Sequence, residues 1–237
     1  MYSRNLNGKT LTFGVSGKLW KNALVMYDRE TKTLWSHLTG EALSGPLVGE
    51  TLTMLAALPR VKWKEWQAQY PNTKVLSVRG REDQRSDTYR DYHDSSRTGL
   101  FAPENSDNRL RNKDRVIGVI LGPQQKAYPL VEKLWKGKEK GTWTLIQDRI
   151  GDTPLLVFYE PELYATGVYD RRLKDGALLE FETPAEGYRA LDTEGRQWNL
   201  LTGEGPDGHS LTPIPHMAIY WFAWADFYPE TLLYEKK

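Results

Sequence analysis

The 237-residue chain contains no cysteine. These residues can therefore form no disulfide, no thiolate nucleophile and no cysteine-ligated metal site. Long apolar runs are also missing: the most apolar stretches, at 116–121, 155–159 and 217–227, fall well short of the roughly 20 residues that a membrane-spanning helix needs. The first residues lack the apolar core of a signal peptide. We expect no transmembrane segment, and we expect the apolar stretches to be buried elements of a globular fold.

An excess of charge of either sign is missing too. The 32 lysines and arginines face 31 aspartates and glutamates, which leaves a net charge of +1. Nucleic-acid-binding proteins usually carry a clear basic excess, because the phosphate backbone dominates their affinity. We therefore expect no nucleic-acid partner.

Familiar catalytic motifs are absent from the sequence. It contains no Gly-x-Ser-x-Gly, no phosphate-binding Walker loop and no His-Glu-x-x-His. Two of the four histidines, His209 and His216, lie close enough in sequence to share a metal with Asp207 or Asp226. Separate, exposed or hydrogen-bonded histidines are nevertheless the favoured interpretation. We expect no catalytic residue, no metal and no cofactor in this chain.

What the sequence does contain is an internal repeat. Residues 35–41 (WSHLTGE) align with 198–204 (WNLLTGE), and 49–53 align with 208–212. The pattern Trp-x-x-Trp-x-x-x-Tyr-Pro-x-Thr occurs at 63–73 and again at 221–231. Upstream, residues 2–13 align with 169–181, and Asp28 aligns with Asp192. Four collinear matches, two of which use tryptophan, predict a duplicated unit.

The repeat is incomplete at its beginning, because Met1 aligns with Val168 in the middle of the second copy. The first copy therefore lacks a counterpart of 116–159, which holds two or three predicted strands. We divide the chain into a first, incomplete repeat at 1–78, a long polar loop at 79–115 and a second repeat at 116–237. On this reading the chain starts within a unit.

Local patterns predict a mainly β (α+β) fold with one short helix in each copy. Alternating apolar residues indicate strands at 10–14, 23–27 and 33–37. The aromatic residues at 63, 66 and 70 lie on one helical face, which predicts a helix over 61–70 followed by a strand at 74–78. The second copy repeats this order with a helix over 217–228 and a strand at 231–234. Trp66 and Trp224 are predicted to be buried and equivalent.

Several segments together resemble a known family. They are Thr12–Gly17 (TFGVSG), the run from Val25 to Ser36, the glycine-rich stretch at 40–49, and the pieces around 116–119, 127–129 and 148–155. With these segments the chain resembles the uncharacterised bacterial family called domain of unknown function thirty-one seventy-nine. The resemblance covers most of the chain, and its first block is specific.

The resemblance implies a protein that is exported or belongs to the bacterial envelope. Members of the family usually carry a Cys-Pro-Leu-Cys-like segment ahead of the first block, and this chain has none. The corresponding place in the second copy holds Glu160-Pro-Glu162. One hypothesis that follows is a truncated metal- or thiol-dependent redox protein whose active segment lies upstream of Met1.

The long polar loop supplies the best candidates for ligand binding. Tyr89 and Tyr92 alternate there with Arg90 and Arg97, outside any core periodicity. Aromatic rings beside guanidinium groups suit planar or anionic ligands. A loop of this length is usually functional or disordered.

Glu41 and Glu204 occupy the same place after Thr-Gly in the two copies. Paired carboxylates are the apparatus of glycoside hydrolysis. Their equivalence by repeat is explained more simply if each carboxylate anchors its own loop.

Three hypotheses of function follow from the sequence. The leading hypothesis is a non-catalytic binding or assembly protein of the bacterial envelope with a small-molecule ligand. The alternatives are the truncated redox protein and a carbohydrate-binding module that uses some of the nine tryptophans. An unpaired strand edge near 10–14 predicts a homodimer, a cover by the long loop, or a longer parent protein.

Overall fold

The structure is a computed structural model, which describes residues 1–55, 61, 63–75, 89–130, 144–160, 165–185 and 188–235. The fold is mainly β, as predicted, with several antiparallel sheets and three short helices. None of the helices in these ranges is long and apolar enough to cross a membrane.

The first part of the chain forms a small hairpin and a four-stranded antiparallel sheet. The hairpin pairs β1 (Asn5–Leu6) with β2 (Lys9–Thr10). The sheet runs in chain order through β3 (Phe13–Trp20), β4 (Ala23–Asp28), β5 (Leu34–Ser36) and β6 (Ala42–Ser44). Its small core lies around Leu11, Trp35, Ala42 and Leu52. Two short helices follow, α1 (Trp63–Gln69) and α2 (Arg90–Asp94).

The rest of the chain builds three more sheets and the third helix. One sheet has the order β16-β7-β8-β17, the next β15-β11-β10-β9 and the last β12-β13-β14. The strands are β7 (Arg115–Leu121), β8 (Gln124–Pro129), β9 (Thr144–Ile150), β10 (Thr153–Glu160), β11 (Ala165–Asp170), β12 (Phe181–Ala185), β13 (Arg189–Asp192), β14 (Gln197–Asn199), β15 (Thr212–Pro213), β16 (His216–Tyr220) and β17 (Leu232–Leu233). Helix α3 (Trp221–Phe227) lies between β16 and β17.

Both faces of strand β10 are buried, each in a different core. Leu155 and Val157 point into a core shared with β7 and β8. Leu156 and Phe158 point the other way, into a core that includes Trp198 of β14. A continuous apolar run, rather than an alternating one, is what a strand with two covered faces requires.

The residues that the repeat aligns make matching hydrogen bonds. The indole of Trp35 donates to Asp28 Oδ2 over 2.9 Å, and the indole of Trp198 donates to Asp192 Oδ2 over 2.9 Å. All four side chains are buried. A buried carboxylate needs such donors, because an unpaired charge in the core is costly.

The two Thr-Gly-Glu turns also match. Gly40 has φ of 77° and Gly203 has φ of 79°, in the left-handed region that favours glycine. A methyl group at either position would come within 2.7 Å of the Tyr2 ring or 3.0 Å of the Tyr169 ring. These paired contacts are what a duplication predicts, and the duplication itself stays a prediction.

Several predicted element boundaries need correction. The predicted helix at 217–228 shortens to α3, because His216–Tyr220 forms strand β16 and pairs with β7 from His216↔Val119 to Tyr220↔Arg115. The predicted helix at 61–70 is α1. Residues 74–75 of the predicted strand at 74–78 have no strand structure, and 76–78 lie outside the described residues.

The two tryptophans that the repeat aligns, Trp66 and Trp224, differ in burial. Trp224 is fully buried, as predicted, but Trp66 is partly exposed. The prediction for Trp66 is therefore wrong. The cause is that α3 packs on β7, whereas no sheet in the described part of the chain packs across α1 in the same way.

The described part of the long loop contacts the turn between β3 and β4. Asn22 exchanges two hydrogen bonds of 2.9 Å with the backbone of Phe101, and Lys21 Nζ lies 3.2 Å from Glu104. Residues 79–88 of the predicted loop lie outside the described residues, and Arg115 already begins β7. The homodimer stays a prediction.

Candidate ligand-binding site

The site is built by the long loop where it crosses helix α3. The backbone N–H of Trp221 donates to Asp114 O over 2.7 Å, and the Trp221 indole donates to Asp107 O over 2.9 Å. Asn105 donates to the buried Asp226 carboxylate from its backbone N–H over 2.8 Å. These bonds fix the loop to both ends of α3, at Trp221 and at Asp226, so that the side chains it carries have defined neighbours.

Lys113 is the central side chain of the site. Its Nζ lies 3.1 Å from the centroid of the Tyr92 ring and 4.9 Å from that of Tyr220. It also donates a hydrogen bond of 2.8 Å to Tyr92 O. An ammonium between two aromatic faces is attracted by the negative potential of both rings.

His93 closes the cluster on the side of α2. Its Nδ1 lies 2.7 Å from the hydroxyl oxygen of Tyr220, a hydrogen bond whose donor depends on the histidine tautomer. The His93 ring also lies 5.9 Å from Tyr92 and 6.4 Å from Tyr89. Tyr220 is the last residue of β16, so helix α2 of the long loop meets the sheet β16-β7-β8-β17 here.

Some of the cationic side chains around the site are paired with carboxylates, and others are not. Arg109 pairs with Asp107 at 2.7 Å and Arg111 with Asp114 at 3.1 Å, so these arginines are neutralised. Within the described ranges, no ion pair joins a carboxylate to Lys113, Arg97 or Arg90.

Two physical effects act on the Lys113 ammonium. Burial is the larger, and the nearby positive charge of Arg97 is the second; both lower the pKa of Lys113. Burial, with a smaller contribution from Tyr220, likewise raises the pKa of Tyr92. The environment therefore disfavours the Lys113 charge, and a bound anion would relieve that cost.

An open groove of about 1000 Å³ lies beside this cluster. It is lined by residues 93–96 and 108–114. We call this surface, together with Tyr92, Lys113 and Tyr220, the Lys113 groove. Except for Leu110, the lining residues have polar or charged side chains, which suit a ligand held by charge and hydrogen bonds.

The family comparison covers nearly the whole chain. The model of a family described as "Protein of unknown function (DUF3179)" matches residues 1–231. The chain belongs to the DUF3179 family. No curated protein and no solved structure matches it. The predicted family is thereby confirmed.

The structure brings some predicted site residues of the DUF3179 chain together and leaves others apart. Tyr89, Arg90 and Tyr92 lie on or next to α2, and Arg97 is near enough to affect Lys113. The local sequence pattern did not predict Lys113 and Tyr220, because they are far from α2 in sequence and the fold alone brings them into contact with it. The interleaving of aromatic residues with arginines was the one signal that pointed to this loop.

Glu41 and Glu204 lie in their own turns rather than in the groove. Glu41 Oε2 accepts from Thr39 Oγ1 over 3.0 Å, and Glu204 Oε2 accepts from Thr202 Oγ1 over 3.0 Å. Burial, and then the charge of Glu41, raise the pKa of Tyr228 to about 12. The contacts of both glutamates fit the interpretation of loop anchors.

His216, one of the two histidines considered for a metal site, has other partners. His216 Nδ1 lies 3.0 Å from Ile214 O, and its Nε2 lies 3.4 Å from Thr166 Oγ1. Burial lowers the pKa of His216. In the described ranges, no three histidine, aspartate or glutamate side chains are grouped so that they could hold a metal ion.

Proposed function

We propose that this DUF3179 chain is a non-catalytic binding protein that holds a small planar anion in the Lys113 groove. The observation that supports it most is the Lys113 ammonium, which lies between two aromatic rings and near Arg97 without a paired carboxylate in the described residues. Two cations held close together without a counterion favour an anionic ligand.

The shape of the ligand follows from its neighbours. Tyr89 is 65% exposed next to α2, and His93 is also exposed, so flat surfaces border the charged part of the groove. Planar groups stack on such rings at little entropic cost. A carboxylate or phosphate attached to a flat ring would use both features.

The groove also carries one opposing charge. Asp94 lines it and, in the described part of the chain, has no cationic partner within ion-pair distance. Its carboxylate repels an anion and so tunes the affinity. Removing the charge of Lys113 should therefore weaken anion binding, and removing the charge of Asp94 should strengthen it.

The first prediction is that phthalate, a planar dianion, binds the wild-type chain and that Lys113→Met weakens binding about tenfold or more, as loss of a charge-assisted hydrogen bond would. Arg97→Gln should weaken binding less, because its side chain is exposed. Asp94→Asn should strengthen it. Isothermal titration calorimetry measures all four affinities, which should fall with added salt.

Lys32→Met is the matched control for this prediction. Lys32 Nζ lies 5.7 Å from the centroid of the Tyr27 ring in the first sheet, so the variant removes the same charge and the same kind of contact elsewhere. It should leave phthalate binding unchanged. Binding of cellotetraose instead of phthalate would favour the carbohydrate-binding alternative, and equal loss in the Lys32 and Lys113 variants would overturn the site.

A further inference from the structure

Helices α1 and α3 both carry the pattern Trp-x-x-Trp, and in α3 both tryptophans are covered by a sheet. Trp221 and Trp224 are fully buried against β7 and β8. Gly118 of β7 lies directly under the Trp224 ring, and a methyl group at that position would overlap the ring. The segment after the helix completes the arrangement, because β17 pairs in parallel with β8 through Leu232↔Lys126.

Helix α1 has the same internal geometry. The Trp66 indole donates to Thr73 Oγ1 over 3.0 Å, and the Trp224 indole donates to Thr231 Oγ1 over 2.9 Å. The Trp66 ring lies 4.5 Å from Tyr70, as the Trp224 ring does from Tyr228. Both helices are therefore shaped for the same kind of neighbour.

The covering layer is what differs. Trp63 is 46% exposed, whereas its counterpart Trp221 is fully buried. Val75 is 66% exposed, whereas Leu233 packs into the cluster under α3. An aromatic and an aliphatic side chain are thus left in water on the face that α3 buries.

We propose that the α1 face, formed by Trp63, Trp66 and Val75, binds an antiparallel β-hairpin of a partner polypeptide. One strand of that hairpin crosses α1 as β7 crosses α3, and it carries a glycine opposite Trp66. The second strand pairs in parallel with residues 74–75, which is the β-augmentation used in many peptide complexes. This inference rests on the duplication and is independent of the Lys113 groove.

The glycine is the specific part of the proposal. The Trp224 ring occupies the space of a side chain at Gly118, and Trp66 is held in the same way by Tyr70 and Thr73. Only a residue without Cβ lets the ring approach the strand so closely. A hairpin with a larger residue there would be rejected.

A second folded copy of this chain is a poor source of the hairpin. In each of the two protein molecules, β7 already pairs with both β8 and β16, and α3 already covers it. Donating it would expose Trp221 and Trp224, which are fully buried. The proposed occupant is therefore a hairpin other than residues 115–130 of a second copy.

A synthetic hairpin peptide with the sequence of residues 113–130 tests the proposal on the full chain. The peptide should bind, and hydrogen exchange should slow at 63–75. The same peptide with valine at the position of Gly118 should bind at least about tenfold more weakly. Equal binding of both peptides, or no binding of the first at about millimolar concentration, would overturn the proposal.

Variants of the chain locate the contact. Trp63→Ala changes an exposed side chain, so the fold should persist while the peptide affinity falls about tenfold. Phe101→Ala, at a 58% exposed aromatic residue, is the control that should leave it unchanged. Protection at 115–130 would mean that the peptide replaces the chain's own hairpin, and slow exchange at 63–75 in a peptide-free dimer would mean that a second copy covers α1. Either result would contradict the proposal.

Discussion

Replacing Trp224 by alanine should lower the free energy of unfolding by about 3–5 kcal/mol, the usual cost of removing a large aromatic side chain from a core. The ring is fully buried on Gly118, and its indole donates to Thr231 Oγ1 over 2.9 Å. The cavity that remains cannot collapse easily, because β7 is held between β8 and β16. Urea denaturation monitored by circular dichroism measures the change.

Trp66→Ala is the matched comparison. It removes the same contacts with Thr73 and Tyr70 from a partly exposed position, so we expect a loss of only about 1–2 kcal/mol. The difference between the two variants reports the missing cover over α1. Equal losses would contradict the structure at this helix, and no loss for Trp224→Ala would place that ring on the surface.

The second large effect is expected at the buried aspartates. Asp192 accepts from the Trp198 indole over 2.9 Å and from Arg196 Nε over 2.7 Å. Asp192→Ala leaves the buried indole N–H without an acceptor and should cost about 3 kcal/mol. Asp28→Ala should act similarly through Trp35. Exposed Asp175→Ala is the control.

The same carboxylates should make stability depend on pH. Burial alone raises the pKa of Asp192, but donors from Trp198 and Arg196 outweigh it and lower the pKa below its usual range. Burial likewise raises the pKa of Asp28, and the Trp35 and Thr31 donors lower it overall. Because the folded pKa lies below the unfolded one, this stabilisation is present above the unfolded pKa of about 3.9. It is lost as the pH falls through the folded pKa.

Asp192→Asn separates this effect from simple loss of contacts. The variant has no carboxyl group to titrate at 192, so its deficit relative to wild type should shrink between about pH 7 and pH 3. Urea midpoints at several pH values measure it. A deficit that stays constant over this range would mean that Asp192 does not titrate with a lowered pKa.

Sequence predicted the parts of the fold that depend on local pattern. The run at 155–159 is a buried strand, and the repeat aligns Trp35 with Trp198 and Asp28 with Asp192, which form matching indole–carboxylate hydrogen bonds. The sequence did not predict strand β16. A short apolar stretch of five residues directly before a helix fits the helical period and the strand period equally well, and only the pairing with β7 decides between them.

The candidate site was predictable only in part. The interleaving of aromatic residues with arginines predicted Tyr92 and Arg97, but Lys113 and Tyr220 join them through contacts between segments far apart in sequence. Glu41 and Glu204 looked paired because of the repeat, and the fold keeps each in its own turn. Likewise, the exposure of α1 depends on which sheet covers it, and its own sequence does not specify that sheet.

The most direct test of the proposed binding site is an NMR titration of the Lys113 side chain in protein labelled with ¹³C-lysine, assigned with Lys113→Arg. Burial and Arg97 should hold the pKa of Lys113 below its ordinary value in the free protein, and bound phthalate should raise it, because a neighbouring anion favours the ammonium form. An ordinary pKa that does not change when phthalate is added would contradict the account.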